Sequence, residues 1–308
     1  VPVPEDPAAT PAGAGAGSTA PAPATPGARP LVAVAPGVHV ATSQVLASNT
    51  VVVTTTGSQC PGAGDALVVD PGVTAAELAG LAAEVAARGW RVVAGASTHP
   101  HWDHALWHTG LGPAPRLAAP RAVATLAADR RRAWGDAADV DPALDEAVFG
   151  VLTPLPSGAR ELPVPAPAGC AVLVHDAHAP GHLALAVRGV LLAGDMLSPR
   201  EVPLLDVGHD GEARPAPADP VGDYRAALDR LEAFAAAHGV ALVVPGHGPL
   251  VRGRAALADL VAADRAYLDA LEREAAGGPA AADPRLADPW VAAEHARQVR
   301  HLRERRAG

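Results

Sequence analysis

The sequence predicts a layered α/β domain in which buried β-sheets are covered by helices. Three observations carry that prediction. Short β-branched and leucine-rich runs alternate with amphipathic helical stretches in two successive sets. Each set ends its strands in polar, glycine-flanked turns. Hydrophobic residues make up 49% of the 308, enough apolar mass for a sizeable core.

Residues 1–30 read as a disordered arm, because a Pro/Ala/Gly-rich stretch without periodicity buries too little apolar surface to offset its ordering entropy. The folded domain is expected over 31–278 and a helical extension over 279–308. Within the domain, "GVHVATS", "SNTVVVTTT" and "ALVVDPG" are strands, the third closed by Pro71-Gly72. A helix follows from Thr74, where Thr74 and Glu77 form a capping box, Leu78, Leu81 and Val85 share a face, and Gly89 is the stop. "RVVAGAS" is the next strand and runs into a histidine-rich loop that opens a helix, "DHALWHTG".

A short strand, "RLAAP", and a charged helical region over 121–149 come next. "CAVLVHDA", "HLALAVRG" and "VLLAGD" are three strands in quick succession, followed by an irregular stretch over 196–220. "DYRAALDRLEAFAAAHG" is a helix, "VALVVPGHG" a strand and turn, and residues 254–278 a long helix striped by Leu257, Leu260, Val261, Leu268 and Leu271. The basic segment "WVAAEHARQVRHLRERR" is a further helix whose charges read as a solvated face.

Composition excludes several classes. The net charge is −9, lysine is absent, and no basic stripe marks a nucleic-acid footprint. Cys60 and Cys170 are far apart and make no metal-type pair, so a disulfide framework is not expected. No apolar run is long enough to cross a membrane, and the first residues lack a secretory pattern. The expected setting is the cytoplasm, although a leader already removed would leave no trace. A small molecule is the expected partner; neither nucleic acid nor a membrane is.

The stretch "STHPHWDHALWH" concentrates the chemistry. In an extended turn, residues two apart point the same way, so His99 and His101 can converge on one atom. Asp103 and His104 then point toward a neighbouring position. Imidazole and carboxylate suit Zn²⁺. Two pairs do not close two sites, and three further residues follow predicted strands: His182 after Pro180-Gly181, Asp195 ending "VLLAGD", and His247 in "VVPGHG". Five histidines and two aspartates suffice for two metals sharing one carboxylate. His39, His238, His295 and His301 read as structural, and His108, His175 and His178 as neighbours of the site.

With these residues in place the sequence resembles the metallo-β-lactamase superfamily. His99, His101, Asp103 and His104 match its HxHxDH motif, and His182, Asp195 and His247 follow in family order; Asp70 looks like the buried aspartate that supports the metal loop. The resemblance spans roughly residues 35–250. It implies the αββα sandwich, two mixed sheets face to face with helices outside. It implies a first zinc on His99, His101 and His182, a second on Asp103, His104 and His247, and Asp195 as the bridge.

An aspartate at the bridging position is similar to the hydroxyacylglutathione hydrolases and lactonases. The β-lactamases differ there, and many of them grip their drug with a lysine that this chain lacks. The implied activity is hydrolysis of an ester, thioester or lactone carbonyl by a bridging hydroxide, with Asp103 as the catalytic residue. A water on zinc has a pKa of roughly 7. Iron and manganese are the alternative metals. The rival readings are a phosphodiester or phosphonate hydrolase, and a mono-iron oxygenase resembling the persulfide dioxygenases. Trp102, Trp107, His209 and Tyr224 are candidates for the walls of the substrate pocket, and segments 121–149 and 196–220 for specificity.

Overall fold

Strands buried on both faces decide the architecture. In β9 (His182–Val187), Leu183, Leu185 and Val187 point into one core and Ala184 into another. Such a strand must have a layer on each face. The computed structural model describes residues 29–55, 64–164, 167, 169–208 and 216–307.

The first sheet runs in chain order, β1 (Val32–Ala35), β2 (Val38–Thr42), β3 (Asn49–Thr54), β4 (Gly64–Val69), β5 (Trp90–Ala96), β6 (Arg116–Ala118) and β7 (Thr153–Pro154). It is antiparallel up to β4 and parallel from β4 to β7. The second sheet has the order β12-β11-β10-β9-β8, from β8 (Ala171–His175), β9, β10 (Val190–Gly194), β11 (Leu242–Pro245) and β12 (Val251–Arg252). Its one parallel pair, β10 with β11, is joined through α3 (Pro220–Ala237).

The sheets pack face to face. Val40, Val51, Val53, Leu67 and Val69 from the first meet Leu183, Leu185, Leu192 and Val244 from the second in one core. Outside the first sheet, Val52, Ala66 and Val68 pack on Leu81, Ala82 and Val85 of α1 (Ala75–Ala87). Outside the second, Ala184, Leu191 and Val243 pack on Leu228 and Leu231 of α3 and Leu268 and Leu271 of α4 (Arg254–Ala275). This is the expected αββα order of layers. The Thr74–Glu77 capping box forms, with Glu77 N–H donating to Thr74 Oγ1 at 3.2 Å and Thr74 N–H to Glu77 Oε2 at 3.3 Å.

One local expectation is corrected and another is refined. The helix expected at "DHALWHTG" is a pair of 3-10 turns, Trp102–His104 and Thr109–Leu111. Between the two turns, Leu106 packs in one core and Trp107 in another. The charged region over 121–149 is one long helix, α2 (Pro120–Val140), followed by a 3-10 turn. The expected arm lies almost wholly outside the described residues, as does Cys60; Cys170 is a buried free thiol. No helix among the described residues is long and apolar enough to cross a membrane.

The C-terminal segment is part of the packed body. Val291, Gln298 and Val299 of α5 (Pro289–Ala307) are buried against the α3–α4 layer. Arg285 precedes this helix; its side chain is only 7% exposed and binds Asp264, 1% exposed, at 2.5 Å and Asp283 at 2.8 Å. Burial raises the Asp264 carboxyl to about 6 despite that guanidinium.

Removing one partner of a buried ion pair leaves an uncompensated charge. Arg285→Ala is therefore expected to lower unfolding free energy by about 3–5 kcal/mol in urea titrations, and pairing it with Asp264→Leu to recover most of the loss. A single Arg285→Ala change within about 0.5 kcal/mol of the parent would show that the pair carries no such cost.

Candidate metal centre

The functional side chains all issue from strand ends at one edge of the sandwich. β4 ends at Asp70, β5 at the 97–104 loop, β8 at the 176–181 loop, β10 at Asp195 and β11 at the 246–248 turn. Backbone hydrogen bonds stitch the two sheets together there. Leu183 N–H donates to Thr98 O at 2.6 Å, and Asn49 N–H to Gly246 O at 2.7 Å. Asn49 Nδ2 adds bonds to Pro245 O and Gly248 O.

Two glycines are needed for the close approach. A Cβ on Gly246 would lie 1.9 Å from Asp195 Oδ1, and one on Gly194, whose φ is +56°, would lie 2.5 Å from the His182 ring.

Seven side chains form two adjoining clusters, His99–His101–His178–Asp195 and Asp103–His104–His247. In the first, His101 Nδ1 lies 3.0 Å from His99 Nε2 and 3.2 Å from His178 Nε2, with Asp195 Oδ2 at 3.4 and 3.5 Å from those two rings. In the second, His104 Nε2 and His247 Nε2 are 3.2 Å apart, and Asp103 Oδ2 is 3.3 and 3.2 Å from them. Asp195 reaches both, its Oδ1 standing 3.2 Å from His104 Nε2 and its Oδ2 3.2 Å from His247 Nε2.

Four of the five rings are held from behind. His178 Nδ1–H donates to Leu204 O at 2.9 Å, His247 Nδ1–H to Leu46 O at 3.1 Å and His104 Nδ1–H to Asp70 Oδ2 at 2.9 Å. Asp70 also accepts from Thr98 N–H and Oγ1–H, and that hydroxyl in turn receives His99 Nδ1–H at 3.0 Å. A neutral imidazole that donates through one nitrogen presents a lone pair on the other. The lone pairs of His104 and His247 therefore face each other at 3.2 Å, those of His99 and His178 both turn toward His101 Nδ1, and Asp195 Oδ1 beside them is buried and accepts no hydrogen bond. That donor set fits a divalent metal, and nitrogen with carboxylate oxygen suits zinc chemistry.

The electrostatics agree. Burial alone would raise Asp103 and Asp195, yet the facing imidazoles hold both well below the usual carboxylate range. Burial likewise opposes charge on His104 and His247, but the carboxylates around them raise both well above an ordinary histidine. His99 and His178 are lowered, His178 to about 3, chiefly by burial.

The structure corrects the assignment of His182. The sequence reading placed it in the first cluster; the ring found there belongs to His178. His182 is the first residue of β9, paired with His175 across the ladder, so its side chain sits in the sheet layer behind the loop. Its Nε2 accepts Asp195 N–H at 3.1 Å, and its ring stacks between His99 and His175, with centroids at 5.1 and 4.6 Å. The available signal was location: His178 is in a loop after a strand, as His99 and His247 are.

A cleft of about 360 Å³ opens onto the clusters, and His101, Asp103, His178, Asp195 and His247 line it. Trp102 lies on its wall, as the sequence reading allowed. Trp107 does not: it is buried against α1, its Nε1–H donates to Gly112 O and Arg116 covers its ring at 5.4 Å. Tyr224, 1% exposed, is packed in the core beneath α3 and α4 and is likewise not a wall residue. His209 lies outside the described residues.

Helix α2 supplies Arg132 and Asp136 to the cleft, and the 201–208 stretch supplies Glu201, Leu204 and Leu205. Sequence reasoning missed the contribution of α5, which adds Trp290, Glu294 and Arg297.

Residues 44–247 match the family model of the metallo-beta-lactamase superfamily, and the chain belongs to that family. Among solved structures it is similar to a beta-lactamase domain protein from Burkholderia ambifaria, at 23% identity and a TM-score of 0.60, over 92% of this chain and 88% of that one. It is also similar to a metallo-beta-lactamase family protein from Thermus thermophilus, at 24% identity and a TM-score of 0.59, over 89% and 95%. A stereoselective inverting sec-alkylsulfatase from a Pseudomonas species aligns at 15% identity and a TM-score of 0.62, over 90% of this chain and 50% of its own. These likenesses concern the fold. No curated protein sequence gives a significant match.

The exchange of His182 for His178 is open to direct test. In cobalt(II) titrations followed by calorimetry, His178→Ala is expected to lose one of two binding events. His182→Asn is expected to keep both. The opposite pattern would restore His182 to the first cluster.

Proposed function

We propose that the protein is a dinuclear zinc hydrolase acting on the ester, thioester or lactone carbonyl of a small molecule. The observation that carries this reading is the pair of clusters joined by Asp195, each closed by imidazole nitrogens and a carboxylate oxygen. His99, His101 and His178 would hold one cation, and Asp103, His104 and His247 the other, with Asp195 shared. When bound, two such cations supply hydroxide from water near neutral pH and polarise the carbonyl.

The chain's own residues do the rest. Asp103, ionised and buried, accepts a hydrogen bond from the attacking water and turns its lone pair toward the carbonyl carbon. Asp70 keeps His104 in the tautomer whose Nε2 faces the site, and Leu204 O does the same for His178. Leu46, Trp102, Leu204 and Val207 give the cleft apolar walls that seat the body of a small substrate and exclude bulk water.

Two observations weigh against the rival readings. The guanidiniums on the cleft wall are engaged by acids, Arg132 by Asp129 and Asp136 and Arg297 by Glu294, which favours an uncharged ester over a phosphodiester. The second cluster, Asp103–His104–His247, favours two cations over a single iron.

Metal analysis with a panel of p-nitrophenyl esters, lactones, thioesters and phosphodiesters tests the reading. Two zinc ions per chain, turnover confined to carbonyl substrates, and a loss of about 10²-fold or more in kcat for Asp103→Ala are expected. One iron per chain, phosphodiester turnover alone, or full activity in Asp103→Ala with unchanged metal content would overturn it.

A further inference from the structure

Glu201 is a buried acid without an assigned task. It is only 6% exposed, and it lines the same cleft as Asp103, Asp195 and His247. Its backbone is fixed on both sides: its N–H donates to Ser198 Oγ at 3.1 Å, and its carbonyl accepts Arg285 Nη1–H at 3.0 Å. Ser198 Oγ–H in turn donates to His247 O at 2.8 Å, which ties the position of Glu201 to the second cluster. Among the described residues, none hydrogen-bonds the Glu201 carboxyl.

A carboxyl that opens onto a cleft with no protein partner is left unpaired once a ligand displaces the cleft's water, unless the ligand itself brings a donor. Burial pushes this carboxyl up to about 7; Asp195 acts in the same direction and His247 against it. Its neighbours on the cleft wall, Trp102, Leu204, Leu205 and Val207, offer apolar contact. On this part of the wall, a ligand that satisfies Glu201 therefore combines an apolar body with one hydrogen-bond donor.

We propose that Glu201 selects the substrate, accepting a hydrogen bond from a hydroxyl or ammonium group carried on a short, otherwise apolar acyl chain. This deepens the hydrolase reading, on which it rests, by naming the substrate class as esters of hydroxy or amino acids, or lactones that carry a further free hydroxyl or ammonium group. Protonated or not, Glu201 keeps an acceptor oxygen for a hydroxyl; an ammonium requires the ionised form. A substrate lacking the donor would leave the carboxyl buried and unpaired, which is how polar sites reject apolar analogues.

Binding of the product acids tests this without requiring turnover. Zinc-loaded wild type, Glu201→Gln and Glu201→Leu would be titrated calorimetrically with butyrate, with the 2-, 3- and 4-hydroxybutyrates, and with the corresponding aminobutyrates. Wild type is expected to bind at least one donor-bearing acid about tenfold or more tighter than butyrate. Glu201→Leu should erase that gap. Glu201→Gln should keep it for a hydroxyl and lose it for an ammonium, which separates the two sources of the donor.

A gap that persists in Glu201→Leu, or wild type that binds no donor-bearing acid tighter than butyrate, would overturn the proposal. So would equal weakening of every acid in both variants, which would make Glu201 a support of the metal centre. Selective binding by a protein that hydrolyses none of the esters would overturn the hydrolase reading and uphold Glu201 as the selecting residue.

Discussion

Two buried carboxylates, Asp103 and Asp195, set the terms on which five imidazoles can share one edge of this fold. Rings whose outer nitrogens are fixed as donors must aim lone pairs at one another, and lone pairs at about 3 Å repel. Without a cation, a proton on one of the two facing nitrogens of His104 and His247 relieves that repulsion, and the carboxylates around them raise both rings. With a divalent cation in each cluster, the same lone pairs become ligands and no proton is needed. The arrangement is thus prepared for positive charge, and metal and proton compete for it.

The rest of the sandwich serves to hold that geometry. Loops from both sheets meet at the site, and backbone bonds across the edge prevent the sheets from sliding apart. Support reaches the clusters from a distance in sequence. Arg285 binds the carbonyls of Ser198 and Glu201, and Gln298 accepts Leu205 N–H at 2.8 Å, one residue from the carbonyl that orients His178. The C-terminal segment therefore acts on the site through the 198–208 stretch. Its helix also closes one side of the cleft with Trp290 and Arg297. The cleft wall is thus built by α2, α5 and that stretch together, while the two clusters belong to the strand ends.

Much of this was legible in the amino-acid sequence, for identifiable reasons. Strand and helix periodicities exposed the two sets of elements, and the capping box at Thr74 is a purely local signal. His99, His101, Asp103 and His104 could be read together because a six-residue motif fixes its own geometry. Asp195 and His247 were legible as polar residues placed just beyond buried strands. The confusion of His178 with His182 arose because both flank one Pro-Gly turn, and strand register, a tertiary property, decides which faces the loop. Trp107 was misplaced because an aromatic near a motif in sequence is drawn into whichever core lies nearest in space, and Tyr224 because it sits on the face of α3 that packs into the core. Glu201 and the wall supplied by α5 had no local signature, because their roles exist only where distant segments meet.

The central claim is that Asp195 joins two cations, each held by its own cluster. Anomalous diffraction from zinc-soaked crystals, recorded above and below the zinc edge, tests it most directly. The account predicts two peaks about 3.5–4 Å apart, one among His99, His101 and His178 and one among Asp103, His104 and His247, with Asp195 between them. A single peak, or a peak coordinated by His182 in place of His178, would contradict it.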